Sequence, residues 1–141
     1  MPLSLIIKIY SNMKSRVINA IERKIQGCNC AQAVACTYCD AAGVSEEVMM
    51  VATAAFGAGM GSMDGTCGAI TGAAVVLGFK LQDKITAKSA MKNVIDSFKA
   101  RNGVTTCCQL KGIGSGKVVR SCNDCVADAA EFLENELNKL D

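Results

Sequence analysis

An all-α fold follows from three features of this 141-residue sequence. Proline occurs only at position 2, so no ring interrupts a helix anywhere beyond the first residues. The β-branched alternation that marks strands is nearly absent, and Ala, Leu, Met, Lys and Glu recur at helical spacing. Half of the residues are apolar, enough for one packed core. The expectation is a single-domain helical bundle of about five to six helices, with residues 1–13 as an N-terminal extension and 14–141 as the domain.

The first helix is expected from about Met13 to Gln26, with Val17, Ile18, Ile21 and Ile25 on one side and Gly27 closing it. Asn29 caps a second, Cys30 to Ala42, which Gly43 ends. Ser45 opens a third that reaches about Ala55, with Glu46 and Glu47 at its positive end. The glycine-rich segment from Phe56 to Gly65 cannot easily continue a helix, and Thr66 stands where a cap is needed. The helix that follows, Cys67 to about Leu81, is apolar on nearly all sides between Ala69 and Phe79. Gly68 and Gly72, four apart, suit close backbone packing, so this reads as the buried central helix. It is too short to span a bilayer.

Lys84 to Arg101 form an amphipathic helix with Ala87, Met91, Val94, Ile95 and Phe98 inward and Lys88, Lys92 and Lys99 outward. Gly103 ends it. Thr105 and Thr106 precede a short turn through Leu110, and Lys111 to Lys117 read as a mobile basic loop. Ser121-Cys122-Asn123-Asp124 resembles a capping box with Asp in place of Glu. It opens the last helix, along which Val126, Ala129, Ala130, Leu133 and Leu137 point inward.

Composition removes several function classes. The formal charge is only +2 and there is no Trp, so neither an electrostatic footprint nor a stacking platform for nucleic acid is present. With no histidine in the chain, imidazole bases, His metal ligands and c-type haem attachment are excluded. The stretch from Leu3 to Tyr10 is short, interrupted by Lys8, and lacks a basic leader and a small-residue cleavage site. Nine cysteines are an odd number for a disulfide scaffold, so a reducing cytoplasm is the expected compartment. There, thiols, metal ligands and transient redox disulfides are the common roles of cysteine, and burial as a small hydrophobe is the alternative.

Four cysteines directly follow a capping-type residue at an expected helix start: Asn29-Cys30, Thr66-Cys67, Thr106-Cys107 and Ser121-Cys122. At the first helical position, unpaired N–H groups and the helix dipole stabilise an anion, which favours thiolate. Four such positions in one bundle suggest helix N-termini converging on one anionic centre, either an iron–sulfur cluster or a thiolate–disulfide site. Gly57, Gly59, Gly61, Gly65 and Gly68 are candidate cofactor-binding positions, because residues without Cβ let backbone N–H groups approach sulfur closely.

These residues carry a resemblance. Asn29-Cys30-Ala31-Gln32-Ala33-Val34, Phe56-Gly57-Ala58-Gly59-Met60-Gly61, Thr66-Cys67-Gly68-Ala69-Ile70-Thr71-Gly72, Cys107-Cys108-Gln109-Leu110-Lys111-Gly112 and the run from Cys122 to Ala130 occur in order. Together they look like the C_GCAxxG_C_C family, from about residue 14 onward. The resemblance places the family's four cysteines on Cys30, Cys67, Cys107 and Cys122. Leu110 and Gly112 select Cys107, with Cys108 as its substitute. It implies redox activity, and a similarity to the cluster-bearing part of split-Soret cytochromes implies iron–sulfur.

Electron transfer or redox sensing through a cluster on Cys30, Cys67, Cys107 and Cys122 is therefore the leading expectation, with a redox partner protein. Thiol–disulfide exchange by Cys30 and Cys67, which makes the chain an oxidoreductase, is the alternative. A non-enzymatic zinc-binding or interaction module is a third, suggested by Cys36-x-x-Cys39 and Cys122-x-x-Cys125. Cys36, Cys39 and Cys125 read as core residues, Cys28 is unassigned, and a homodimer through an apolar helix face stays open. Asp64, Asp124 and Asp128 read as caps or solvated carboxylates, and Met60 and Met63 as packing. Gly57-x-Gly59-x-Gly61 lacks the strand of a dinucleotide fold, and Gly112 to Lys117 lacks the Ser or Thr of a phosphate loop.

Overall fold

The computed structural model describes residues 2–5 and 15–140. Among the described residues there are nine α-helices and no strand. They are α1 (Val17–Ile25), α2 (Cys30–Thr37), α3 (Cys39–Ala42), α4 (Glu46–Ala52), α5 (Gly57–Met60), α6 (Gly68–Leu81), α7 (Lys84–Asn102), α8 (Cys107–Lys111) and α9 (Cys122–Lys139), with a 3₁₀ turn at Ala54–Phe56. The count exceeds the expected five to six because α3, α5 and α8 are single turns with no periodic signal of their own. Met13 and Lys14, the expected start of the first helix, lie outside the described residues. No helix among the described residues is long and apolar enough to cross a membrane.

The central helix is α6, which packs on α2, α3, α7 and α9. Its first turns bury Ala69, Ile70, Ala73, Val76 and Leu77, whereas Gly78, Phe79 and Lys80 emerge at the surface. A Cβ on Gly72 would sit 2.6 Å from the Ala31 carbonyl oxygen, and one on Gly68 would sit 3.4 Å from the Cys30 Cβ. The two glycines thus bring α6 against α2 at backbone distance, as their four-residue spacing predicts.

Some expected boundaries move. The second helix breaks at Tyr38 instead of running to Ala42. Thr37 bonds back to the Ala33 carbonyl at 2.8 Å and gives its own carbonyl to Arg16 at 2.9 Å, while the Tyr38 hydroxyl donates to Glu134 on α9. These tertiary partners replace the helical ladder there. The third helix stops at Ala52, where Thr53 is buried and bonds back to Met49. On α1, Ala20 is buried and Val17 and Ile21 are half-buried, but Ile18 and Ile25 are exposed, because they lie off the stripe that meets α2 and α9.

The amphipathic reading of α7 matches its burial, with Val94 and Phe98 in the core and Lys88, Lys92 and Lys99 exposed. Asp83, not noticed in the sequence, caps it by accepting from the Thr86 N–H at 2.9 Å. On α9, Val126, Ala129, Ala130 and Leu133 are buried. Asp128 is buried with them, against its reading as a solvated carboxylate. Its two oxygens accept from Arg120, Arg101 and Asn102, which satisfies the charge inside the protein.

Candidate functional site

Four chain segments deliver cysteines to one place. Asn29 holds Cys30 at the first position of α2 through a complete capping box: its side chain accepts from the Gln32 N–H at 2.8 Å, and Gln32 accepts from the Asn29 N–H at 3.0 Å. The Asn29 amide also donates to the Ala54 carbonyl at 3.1 Å, fastening this end of α2 to the 3₁₀ turn. Ser121 accepts from the Asp124 N–H at 3.2 Å and sets Cys122 at the first position of α9, the forward half of the expected box.

Cys67 and Cys107 are paired differently from expectation. Thr66 is not a cap; it faces Thr106 in an isolated antiparallel bridge, and Cys67 itself is the N-cap of α6. The Cys67 N–H donates to the Thr105 carbonyl at 2.8 Å, and the Cys107 N–H to the Gly65 carbonyl at 2.9 Å. Thr66 and Thr106 lie opposite each other between these two bonds; Thr106 keeps the N-cap position of α8 without a side-chain cap, and the bridge brings the chain segments that carry Cys67 and Cys107 together.

The glycine-rich segment serves that bridge. At α5 the chain turns left-handed, with φ +52° at Ala58 and +56° at Gly59. A Cβ on Gly59 would lie 2.6 Å from the Cys107 Cβ, and one on Gly65 would lie 2.8 Å from the Gly59 carbonyl oxygen. Gly57 packs on Asn29 in the same way, whereas nothing lies near Gly61. Of the five candidate glycines, Gly68 lines the cysteine cavity and Gly59 packs on the Cys107 side chain.

The cavity is walled by Cys30, Cys67, Cys107, Cys122 and Cys125, with Ala58, Gly68, Leu110, Lys111 and Arg120. All four cysteines singled out at helix starts therefore reach it. Cys108 does not; its N–H donates to the Met63 carbonyl and its side chain is not a wall. Cys125, read as core, is a fifth sulfur of the site: one turn after Cys122, it shares that residue's face of α9. Lys111 and Arg120 were not singled out either. Lys111 ends α8 at Gly112, and the Val119 and Arg120 N–H groups both bond to the Leu110 carbonyl, at 2.9 and 3.1 Å. Of the segment read as a mobile basic loop, Lys111 lines the cavity, whereas Ile113 to Lys117 are exposed.

The sulfurs differ in acidity. Cys67 falls from 9.0 to about 7, chiefly because the Cys125 thiol donates a hydrogen bond to it, and also through the Ala69 and Ile70 N–H groups and the Lys111 charge, against the effect of burial. Cys125 moves upward as the proton holder of this pair. Burial and the neighbouring Cys67 and Cys122 push Cys30 up to about 12, and burial raises Cys107. Cys67 is thus the sulfur favoured as thiolate, and Cys30, Cys107 and Cys125 are favoured as thiols.

Cys28, Cys36 and Cys39 form a separate group beside Arg23, where burial pushes Cys36 up to about 11. The two Cys-x-x-Cys pairs sit in different places: Cys122 and Cys125 wall the cavity, and Cys36 and Cys39 do not. Met60 and Met63 are not cavity walls, and Asp64 and Asp124 are exposed.

A family model described as "Putative redox-active protein (C_GCAxxG_C_C)" matches residues 28–136. The chain belongs to the C_GCAxxG_C_C family. The match begins just before Cys30 and ends beyond Cys122, so all five sulfurs of the cavity lie inside the C_GCAxxG_C_C region. No curated protein and no solved structure matches the chain.

The donor set suits an iron–sulfur cluster in kind: four thiols from four segments, helix N-termini, and a lysine to offset negative charge. The cavity is small, about 290 Å³ with its opening to solvent included. Among the described residues no three Cys, Asp or Glu side chains are arranged around a single ion. Cys30, Cys67, Cys107 and Cys122 are the residues that would hold a cluster there.

Proposed function

We propose that this protein is a redox carrier or sensor in which Cys30, Cys67, Cys107 and Cys122 hold one iron–sulfur cluster. The observation that carries the reading is that these four cysteines, each at the start of a different helix, wall one buried cavity. A cluster supplies reversible one-electron chemistry when bound. The chain's own part is to present thiolates, direct the α6 and α9 N–H groups at the negative charge, and exclude water with Leu110 and Ala58. A partner protein delivers or accepts the electron.

Anaerobic reconstitution with iron and sulfide tests this. Stoichiometric uptake with visible absorption is expected for wild type, Cys108→Ser and Cys36→Ser, and loss for Cys→Ser at each of the four positions. Uptake unaffected by all four changes sinks the ligand assignment.

The shared place of Cys67 and Cys125 on the cavity wall, with their opposite shifts in acidity, favours a second reading, thiol–disulfide exchange. The Cys67 thiolate attacks one sulfur of a substrate disulfide, and the other sulfur departs as a thiolate that takes up a proton. Cys125, deprotonated, then attacks the Cys67 sulfur of the mixed disulfide and releases the second substrate thiol. The substrate gains two electrons and the Cys67–Cys125 pair loses them. Here Cys125 replaces Cys30 as the partner expected from the sequence. Mass loss of two hydrogens located to peptides of Cys67 and Cys125, after treatment with a small disulfide, supports it; oxidation elsewhere rejects it.

A further inference from the structure

Of the groups that wall the sulfur cavity, two are cationic, Lys111 and Arg120. They are not equivalent. The Arg120 guanidinium makes two bonds of 3.0 Å from Nε and Nη2 to the Asp128 carboxylate, and Asp128 is only 2 % exposed. Its charge is answered. Lys111 forms no ion pair with a carboxylate among the described residues. It is half-buried and held in place, because the Val119 and Arg120 N–H groups clamp the Leu110 carbonyl and a Cβ on Gly112 would meet Lys117 at 2.5 Å. The unanswered cation therefore stands against sulfur.

We infer that Lys111 sets the reduction potential of the sulfur centre, an inference that rests on the redox reading above. Reduction adds negative charge in either chemistry. A cluster takes one electron; a Cys67–Cys125 disulfide takes two electrons and one proton to become a thiolate and a thiol. A fixed cation at the cavity wall stabilises the reduced form in both cases, so its removal makes the centre harder to reduce. The end of α8 also suits a cation, since the helix C-terminus favours positive charge and Lys111 there lines the cavity.

Redox titration of the full chain tests this, in mediators for the reconstituted protein and in a dithiol–disulfide buffer for the metal-free protein. Lys111→Met and Lys111→Gln are expected to lower the reduced-to-oxidised ratio at fixed potential about tenfold, which is about 59 mV for one electron or about 30 mV for two. Lys111→Arg is expected to stay near wild type, as is Lys117→Met on the neighbouring exposed loop. A neutral variant that titrates with wild type, or an Arg variant that shifts as far as Met, overturns the inference alone. A wild-type protein with no reversible couple in either titration overturns it together with the redox reading.

Discussion

Cys125, one turn into α9, and Cys67, at the start of α6, wall the same cavity, and their thiols shift in opposite directions, Cys67 downward and Cys125 upward. The proton is favoured on the α9 sulfur and the negative charge on the α6 sulfur. The charge is placed where the first N–H groups of the central helix can also reach it, which is why the balance falls that way and not the reverse.

Cys67 in the reduced, metal-free protein is expected to titrate near 7, measured as the difference in thiolate ultraviolet absorbance between wild type and Cys67→Ala. Cys125→Ala removes the largest cause of the shift, so the midpoint moves up toward 9.0. A midpoint unchanged by Cys125→Ala refutes the assignment of the donor.

Alkaline stability is expected to be shaped by opposite shifts. Cys67, depressed in the fold, adds stability as pH rises from about 7 to 9.0, because there the unfolded chain binds the extra proton. Cys36, raised to about 11, does the reverse: above 9.0 the unfolded chain loses its proton first, and stability falls. The urea midpoint of Cys36→Ala under reducing conditions is expected to decline less between pH 9 and 11 than that of wild type.

Gly72→Ala places a methyl group 2.6 Å from the Ala31 carbonyl oxygen, which is backbone and cannot swing aside. The helices α2 and α6 must separate, at a cost of about 1–3 kcal/mol in urea unfolding. Gly78→Ala, with nothing within 4 Å, is the control and is expected to be neutral or stabilising.

Asp128→Asn leaves Arg120 and Arg101 without their buried carboxylate. Since both guanidinium groups are more than a third exposed and can turn to water, the expected loss is about 1–3 kcal/mol, below that of a fully buried pair. Hydrogen bonds from Arg120, Asn102 and Arg101 hold the Asp128 carboxyl below its usual range despite burial, so its contribution is present at neutral pH and disappears on acidification through that lowered value. Guanidinium unfolding at neutral and acidic pH checks both; a constant difference between variant and wild type across pH argues against an ionised Asp128.

Helix positions and the cysteines at Asn29-Cys30 and Ser121-Cys122 were legible from the chain because capping is a local contest among a residue's own neighbours. The periodicity of α7 and the small-residue spacing of Gly68 and Gly72 were legible for the same reason. The threonine bridge that pairs Cys67 with Cys107 was not, since a threonine before a helix carries the same local signal whether it caps or pairs across 40 residues of chain. Nor could spacing tell Cys125 from Cys39, each three residues after another cysteine; only packing directs one into the cavity and leaves the other beside Cys36, outside it. Charge followed the same division: the presence of Lys111, Arg120 and Asp128 is a matter of composition, but which cation is answered by a carboxylate and which faces sulfur depends on where α8 and α9 meet. Local chemistry decided which residues begin helices, and three-dimensional packing decided which of them share a site, because electrostatic and hydrogen-bond partners are chosen by distance in space and not along the chain.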